Sequence, residues 1–171
     1  MNRCLIVVVL WSMALPQETR AQNEPSSLAV FVRSFYGWYA PLASKDNGTS
    51  GLERTLTDKR SSFSAQLLGK LQEDVRAQAA AKGEIVGLEF DPFLASQDPC
   101  VKYQVGKVTK KGTAYLVDVY SLCGGRRERI VEAEVVSKNG RWIFVNFHYP
   151  IMKSDLLSEL ALTQADRHKR M

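Results

Sequence analysis

The sequence has few of the residues that most often hold a metal ion or build a nucleophilic site. It contains only three cysteines and two histidines in 171 residues. Cys4 lies in the N-terminal apolar segment, so Cys100 and Cys123 are left, and two thiolates fall short of the four ligands of a structural zinc ion. No Ser or Cys stands in a recognisable catalytic pattern with His148. The sequence therefore gives no reason to expect a metal or a cofactor, and it favours a protein that is not an enzyme.

The sequence also lacks an apolar run long enough to cross a membrane as a helix, which takes about 20 residues. The longest run, Cys4 to Leu15, follows Arg3 and precedes a polar stretch that ends at Ala21. This order is typical of a secretory signal peptide. We predict that residues 1–21 are a signal peptide cleaved near Ala21. The mature chain should then be periplasmic or secreted, with no transmembrane segment.

An excess of charge of one sign is also missing, since the formal net charge is only +5. Most basic side chains outside the helices fall near predicted turns, where we expect them to be solvated: Lys107, Lys110, Lys111, Arg126, Arg127 and Arg129. Without aromatic residues between them they do not indicate a nucleic-acid surface. The basic C-terminal residues 163–171 are predicted to form a flexible tail.

The first half of the remaining chain has helical periodicity. Apolar residues recur three and four apart from a capping serine at Ser26 or Ser27 to Pro41, which predicts a first helix with one apolar face. A second helix is predicted over 61–82. Between them, residues 44–57 are polar and contain glycine, and we expect a long loop there.

The second half alternates with period two and is divided by turn residues. Strands are predicted from about Val101, over 113–122, over 130–137 and over 141–149, followed by a short helix over 155–162. Helices followed by strands indicate an α+β fold. We predict a single α+β domain over 27–162, a four-stranded antiparallel meander packed by two N-terminal helices with a short C-terminal helix.

The last strand has apolar residues on both faces. Strict alternation places Trp142, Phe144 and Asn146 on one side and Ile143, Val145 and Phe147 on the other. This pattern indicates a central strand covered on both faces or a strand buried in a dimer, and the oligomeric state stays open. We expect the first helix to cover Trp142 and Phe144.

Cys100 and Cys123 are predicted to form a disulfide. If the first hairpin is centred between Lys111 and Gly112, the two cysteines lie opposite each other on its strands. Directly opposed residues are close enough for a disulfide to bridge, and export would place the pair where disulfides persist. The alternative is a pair of buried free thiols.

The segment Asp91 to Cys100 brings two carboxylates and an amide together beside two prolines. Such groups could bind a ligand or act as acid and base, but Asp followed by Pro is also a common capping and turn pattern. The second, structural interpretation is favoured. The candidate pocket or binding residues are Asp91, Gln97, Asp98, Trp38, Tyr39 and His148.

These residues resemble a bacterial domain-of-unknown-function family of envelope proteins typified by the YbjP lipoprotein. The resemblance rests on the segments 35–39, 91–98, 103–108 and 139–143, and it spans about residues 27–162. It implies a fold similar to the cystatin-like and SnoaL-like folds and no established activity, so it supplies no catalytic residues. This chain lacks the cysteine to which lipoproteins attach their lipid, which argues against a membrane tether.

Two functions are compatible with the sequence. The first is a non-enzymatic envelope accessory module that binds another envelope protein. The second is a small-molecule binder or enzyme with a pocket between the helices and the sheet. The first is favoured because none of the polar constellations forms a recognisable catalytic pattern.

Overall fold

The computed structural model of this chain describes residues 19–45, 49–81 and 83–170. Most of the predicted signal peptide lies outside these ranges. The elements follow in the order α1 (Thr19–Ala43), α2 (Thr49–Asp58), a 3-10 turn (Arg60–Ser62), α3 (Ala65–Ala80), β1 (Tyr103–Lys111), β2 (Ala114–Cys123), β3 (Arg126–Lys138), β4 (Arg141–Tyr149), β5 (Ser154–Asp155) and α4 (Leu156–Arg170).

The sheet is antiparallel, with its strands in chain order from β1 to β5. N-terminal helices pack on one face of it, and the C-terminal helix packs beside them. The predicted α+β class and the four-stranded meander are confirmed, with the two-residue β5 as an addition. Within the described ranges, no helix is both long and apolar enough to cross a membrane.

Helix α1 places an aromatic face against the sheet. Phe35, Tyr36 and Tyr39 are buried on this face. The rings of Phe31 and Phe35 lie 4.8 and 4.9 Å from the ring of Phe144 on β4. At the start of β4, the indole Nε1 of Trp142 donates a hydrogen bond to Ser27 Oγ at 3.1 Å. The predicted cover of the Trp142 and Phe144 face is therefore confirmed.

The bounds of α1 differ from the prediction at both ends. The helix begins at Thr19 rather than at Ser26 or Ser27, and it passes Pro41 to end at Ala43. Pro41 lies within the last turn. The amide of Ser44 closes that turn by donating to the carbonyl of Ala40 at 3.1 Å.

Helix α2 occupies the segment that was predicted as a long loop. Its Leu56 is buried in the core. Gly51 lets the helix approach α1 closely, because a Cβ at this position would lie 3.3 Å from Ala43 Cα. The glycine that indicated a loop therefore serves helix packing. The apolar stripe of Leu52 and Leu56 is too narrow to stand out from the polar sequence around it.

Helix α3 begins at Ala65, four residues later than predicted, because residues 60–62 form a separate turn. The hydroxyl of Ser64 caps it by accepting from Leu67 N at 3.2 Å. The amide of Ser64 donates to the carbonyl of Phe144 at 2.8 Å, which fixes the start of α3 on β4.

Strand β4 contains a bulge that changes which residues face the core. Glu134 pairs with Asn146 and the next residue, Val135, pairs with Phe144, so Val145 is an extra residue in β4. Strict alternation had placed Phe144 and Phe147 on opposite faces, and this prediction was wrong. Both rings are fully buried and lie 5.0 Å apart. The bulge explains the two apolar sets without a second covering layer.

Residues 163–170 differ from the predicted flexible tail, because they form the last turns of α4. Thr163 Oγ1 lies 3.3 Å from Asp74 Oδ1, and Arg167 Nη1 lies 2.6 Å from the same oxygen. Arg167, one of the basic residues at this end, therefore forms a buried ion pair.

The predicted disulfide between Cys100 and Cys123 is present, and its Cα atoms are 5.7 Å apart. The hairpin register is not the predicted one. Near the turn, Lys111 pairs with Ala114. A bulge between Val105 and Val108 then changes the register in the part of the hairpin that is farther from the turn. The bulge shifts the pairing toward the predicted register, so the cysteines still meet.

Candidate functional site

The segment after α3 returns to the core as a tight loop held by Asp91. Asp91 Oδ1 accepts hydrogen bonds from the amides of Phe93 and Leu94, both at 2.9 Å. Asp91 Oδ2 accepts one from the hydroxyl of Tyr39 at 2.5 Å. The side chain thus caps the turn that follows it and ties that turn to α1. These contacts agree with the interpretation of Asp followed by Pro as a capping and turn pattern.

The environment of Asp91 opposes ionisation. Burial raises its pKa to about 6, while the hydrogen bonds from Tyr39, Phe93 N and Leu94 N act in the opposite direction. A carboxyl with a pKa near neutrality can act as an acid or a base. Here both oxygens are already engaged by donors of the protein itself.

Two further tyrosines hold the carbonyl groups of the same loop. The hydroxyl of Tyr36 donates to Phe93 O at 2.9 Å, and the hydroxyl of Tyr149 donates to Pro92 O at 2.8 Å. Both side chains are buried. The loop is therefore bound from α1 on one side and from β4 on the other.

The loop inserts Phe93 into the layer between the helices and the sheet. Its ring lies 5.0 to 5.4 Å from four other rings. These belong to Phe35, Tyr39, Phe63 and Phe147. Phe93 itself is fully buried. Side chains thus fill the centre of the layer, where the alternative function, a small-molecule binder or enzyme, would place its pocket.

The predicted candidate residues do not converge on one site. Tyr39 and Asp91 are in direct contact, and the ring of Trp38 lies 6.4 Å from that of Tyr39 with Lys59 Nζ above it. Asp98 is exposed, with its amide bonded to Ser96 Oγ. Gln97 lines the same groove as Asp91, whereas His148 lies apart from both.

His148 lies on the outer face of the sheet, away from the helices. Its Nε2 is 2.8 Å from Glu134 Oε2 on β3. In the register of the sheet it lies between Glu132 and Asp155, and Glu132 accepts from Arg129 Nη1 at 2.8 Å. This row is a network of paired charges on an open face. Among the described residues, no group of His, Cys, Asp and Glu could hold a metal ion.

Gln97 lines an open groove beside the loop that contains Asp91. The sequence does not predict this groove. The groove has a volume of about 670 Å³ and lies between α2, α3 and the segment 85–99. Apolar side chains form much of its wall, including Leu52, Val75 and Leu88. A volume of this size is in the range of ligand sites.

The charges that line the groove are all of one sign. Glu53, Asp74, Glu89 and Asp91 contribute carboxyl groups, and no described lining residue is Lys or Arg. The whole chain has 23 basic and 18 acidic residues, so this lining differs in sign from the molecule around it. Because Asp74 is paired with Arg167 and Asp91 is bonded to Tyr39, the exposed carboxylates of the lining are Glu53 and Glu89.

One wall of the groove is fixed by a buried ion pair. Asp74 on α3 accepts from Arg167 of α4 at 2.6 Å and from the amide of Leu88 at 3.0 Å. Arg167 also donates to the carbonyl of Val86 at 3.0 Å. The pair thus joins two helices to the segment that carries the groove. No local sequence pattern around Asp74 in α3 indicates this contact with Arg167.

Comparisons of this chain with protein-family models, with curated proteins and with solved structures found no match. The resemblance to the envelope family of YbjP therefore stays a prediction. The function has to be argued from the geometry alone.

Proposed function

We propose that this protein is a non-enzymatic binding module, exported to the periplasm or secreted, that contacts another envelope protein. The observation that carries the proposal is the packing around Phe93, which fills the centre of the layer between helices and sheet. Both carboxyl oxygens of the adjacent Asp91 accept hydrogen bonds from the protein itself, one of them from Tyr39. Asp91 therefore offers a substrate no free acid or base.

The disulfide supports the location. A bond between Cys100 and Cys123 persists in an oxidising compartment and is rare where thiols are kept reduced. The apolar N-terminal run supplies the signal for export. Cleavage near Ala21 would leave a mature chain that begins at Gln22.

The open groove is the surface best suited to the partner. Its lining includes Ile85, whose residue surface is 62% exposed. Together with Leu52, Val75 and Leu88 of the same lining, Ile85 offers a partner apolar contact surface at the edge of an open depression.

A second function, the binding of a small molecule, is favoured by the volume of the same groove. At about 670 Å³ it could enclose much of a drug-sized compound. This candidate differs from the predicted pocket, because the groove lies between helices and a loop rather than against the sheet.

Photo-crosslinking in the exporting cell separates the two functions. A photoreactive amino acid replaces Ile85 in the groove or, as a matched control, Leu162 on α4, which is 60% exposed and does not line the groove. We expect a discrete protein adduct at the first position and none at the second. No adduct at Ile85, together with a small molecule that raises the melting temperature of the purified protein, would replace the first function with the second.

A further inference from the structure

The wall of the groove exposes an apolar residue, Ile85, to water. Ile85 is 62% exposed although it lies on the same wall as the partly buried Leu88. The short segment that carries it is fixed by Gln78 of α3. Its Nε2 donates to Glu84 O at 2.8 Å, and its Oε1 accepts from the amides of Val86 and Gly87 at 3.0 and 3.1 Å.

This arrangement prepares the wall for a partner. Three hydrogen bonds from one side chain set the backbone on both sides of Ile85, so a ligand does not have to order it. Binding to a surface that is already in place avoids much of the entropy cost of association. Leu52 and Val75 extend the apolar surface across to α2 and α3.

The carboxylates at the groove select the charge of the ligand. Glu53 and Glu89 are exposed lining residues, while Asp74 is neutralised by Arg167 and Asp91 is closed off by Tyr39. Two solvated carboxylates therefore remain for a bound cation. An anionic ligand would meet them without any described basic side chain of the lining to compensate.

We propose that the groove binds a segment of a partner protein in which apolar side chains are flanked by lysine or arginine. This rests on the proposed binding function and names the chemistry of its partner. The apolar side chains would pack on Ile85 and Leu88, and the flanking cations would pair with Glu53 and Glu89. Opposite charge at the rim of an apolar patch contributes mainly to specificity and to the association rate.

Two synthetic peptides test the charge preference. Both carry a fluorescein label and the same apolar centre of leucine, isoleucine and phenylalanine, with two lysines at each end of one and two glutamates at each end of the other. Fluorescence anisotropy measures their binding to the disulfide-intact protein. We expect the lysine peptide to bind at least about tenfold more tightly, a difference that salt should reduce.

Charge reversal in the groove provides the decisive variant. Glu53→Lys together with Glu89→Lys should reverse the preference, so that the glutamate peptide binds more tightly. Glu128→Lys together with Asp166→Lys changes the net charge by the same amount at exposed positions outside the groove. This control should keep the preference for lysine. Ile85→Ser should weaken both peptides about fivefold or more, because it removes apolar contact and no charge.

An unchanged preference in the groove reversal would overturn the proposal, and so would an equal loss in the control, which would show that only net charge matters. Either result would leave the photo-crosslinking outcome at Ile85 intact. A discrete adduct at Ile85 without a charge preference would therefore keep the binding function and reject this partner chemistry. The crosslinked segment, sequenced by mass spectrometry, should itself contain lysine or arginine beside apolar residues.

Discussion

At the scale of single residues, Asp91 shows how a buried carboxyl is kept in a core that is largely aromatic. Its residue surface is 8% exposed, and donors from Tyr39, Phe93 and Leu94 surround its two oxygens. The hydrogen bonds favour the charged form and burial disfavours it. Burial is the larger effect, so the folded protein holds the proton on Asp91 more tightly than the unfolded chain does.

This raised pKa has a defined sign in the stability of the protein. Since the folded pKa of about 6 lies above the ordinary value of 3.8, the contribution of Asp91 to the free energy of unfolding falls as pH rises from about 4 to 6. The full change is about 3 kcal/mol. Above that window the contribution is constant.

Tyr39→Phe should make the protein more sensitive to pH. It removes a donor that lowers the pKa of Asp91, so that pKa rises further and the loss of stability extends above pH 6. We expect a cost of about 1 kcal/mol near pH 5, where Asp91 is neutral, and about 2–3 kcal/mol near pH 7.5, where it is charged. Urea unfolding at both pH values measures this difference.

Tyr36→Phe is the matched control. Its hydroxyl donates to the carbonyl of Phe93, which does not titrate, so the cost of about 1 kcal/mol should be the same at both pH values. Equal pH dependence in the two variants would show that Asp91 does not titrate in this range.

Gly106→Ala should destabilise the β1 bulge. A Cβ there would lie 2.5 Å from Tyr120 Cε2, and that ring is held by Arg127, whose guanidinium carbon lies 3.4 Å from the ring centroid. We expect a loss of about 1–3 kcal/mol in urea unfolding. Gly69→Ala on the exposed side of α3 meets nothing within 4 Å and should instead add about 0.5–1 kcal/mol. A neutral Gly106→Ala would mean that Tyr120 moves freely.

At the scale of elements, the contacts that attach α4 to α3 include one buried ion pair. The side chains of Asp74 and Arg167 are 7% and 15% exposed. Arg167→Ala would leave a buried carboxylate without its cation, and we expect it to lower the free energy of unfolding by about 3–5 kcal/mol. Thermal or urea unfolding of the intact chain measures the loss.

Lys169→Ala removes a charge from the same end of α4 and serves as the control. Its pair with Asp166 is 76% and 61% exposed, so its loss should change stability by about 0.5 kcal/mol or less. Equal small effects of the two variants would show that residues 163–170 behave as the flexible tail that the sequence suggested.

The sequence predicted those elements whose period extends over many residues. The aromatic face of α1 and the β2–β3–β4 meander both follow from such patterns. It failed where a single contact overrides the local pattern. The close contact of Gly51 with α1 accompanies a helix in a segment whose residues are typical of a loop. The extra Val145 in β4 reverses the face of every later residue in the strand.

The candidate site was less predictable than the fold. Asp91 and Tyr39 were both predicted as candidate residues. Their direct hydrogen bond joins residues 52 positions apart, and no local sequence pattern indicates a contact over such a separation. The groove was missed altogether. Its walls come from α2, which was predicted as a loop, and from the irregular segment 85–99.

At the scale of the whole molecule, stability depends on the compartment in which the chain folds. The disulfide spans a separation of 23 residues, and the chain-entropy model gives about 3 kcal/mol for a loop of this size. Cys100→Ser together with Cys123→Ser should lower the free energy of unfolding by that amount. Wild-type protein in reductant should behave like this double variant, whereas the variant itself should not respond to reductant.

Alkylation and mass spectrometry check the state of the two cysteines in protein that is expressed from its full sequence. We expect no labelled thiol at Cys100 or Cys123 before reduction and two after it. Two labelled thiols without reduction would contradict the bond. The same spectrum gives the mature N-terminus, which we expect at Gln22.

The two outer strands of the sheet determine how it can meet other chains. β5 has only two residues, so it offers almost no hydrogen-bonding groups to an incoming strand. β1 is long, but its bulge interrupts the ladder, and Lys107, Lys110 and Lys111 are exposed along it. Bulges and lysines at an edge hinder strand addition. The folded protein is thus protected against templated growth into fibrils, and a partner has to recognise side chains rather than continue the sheet.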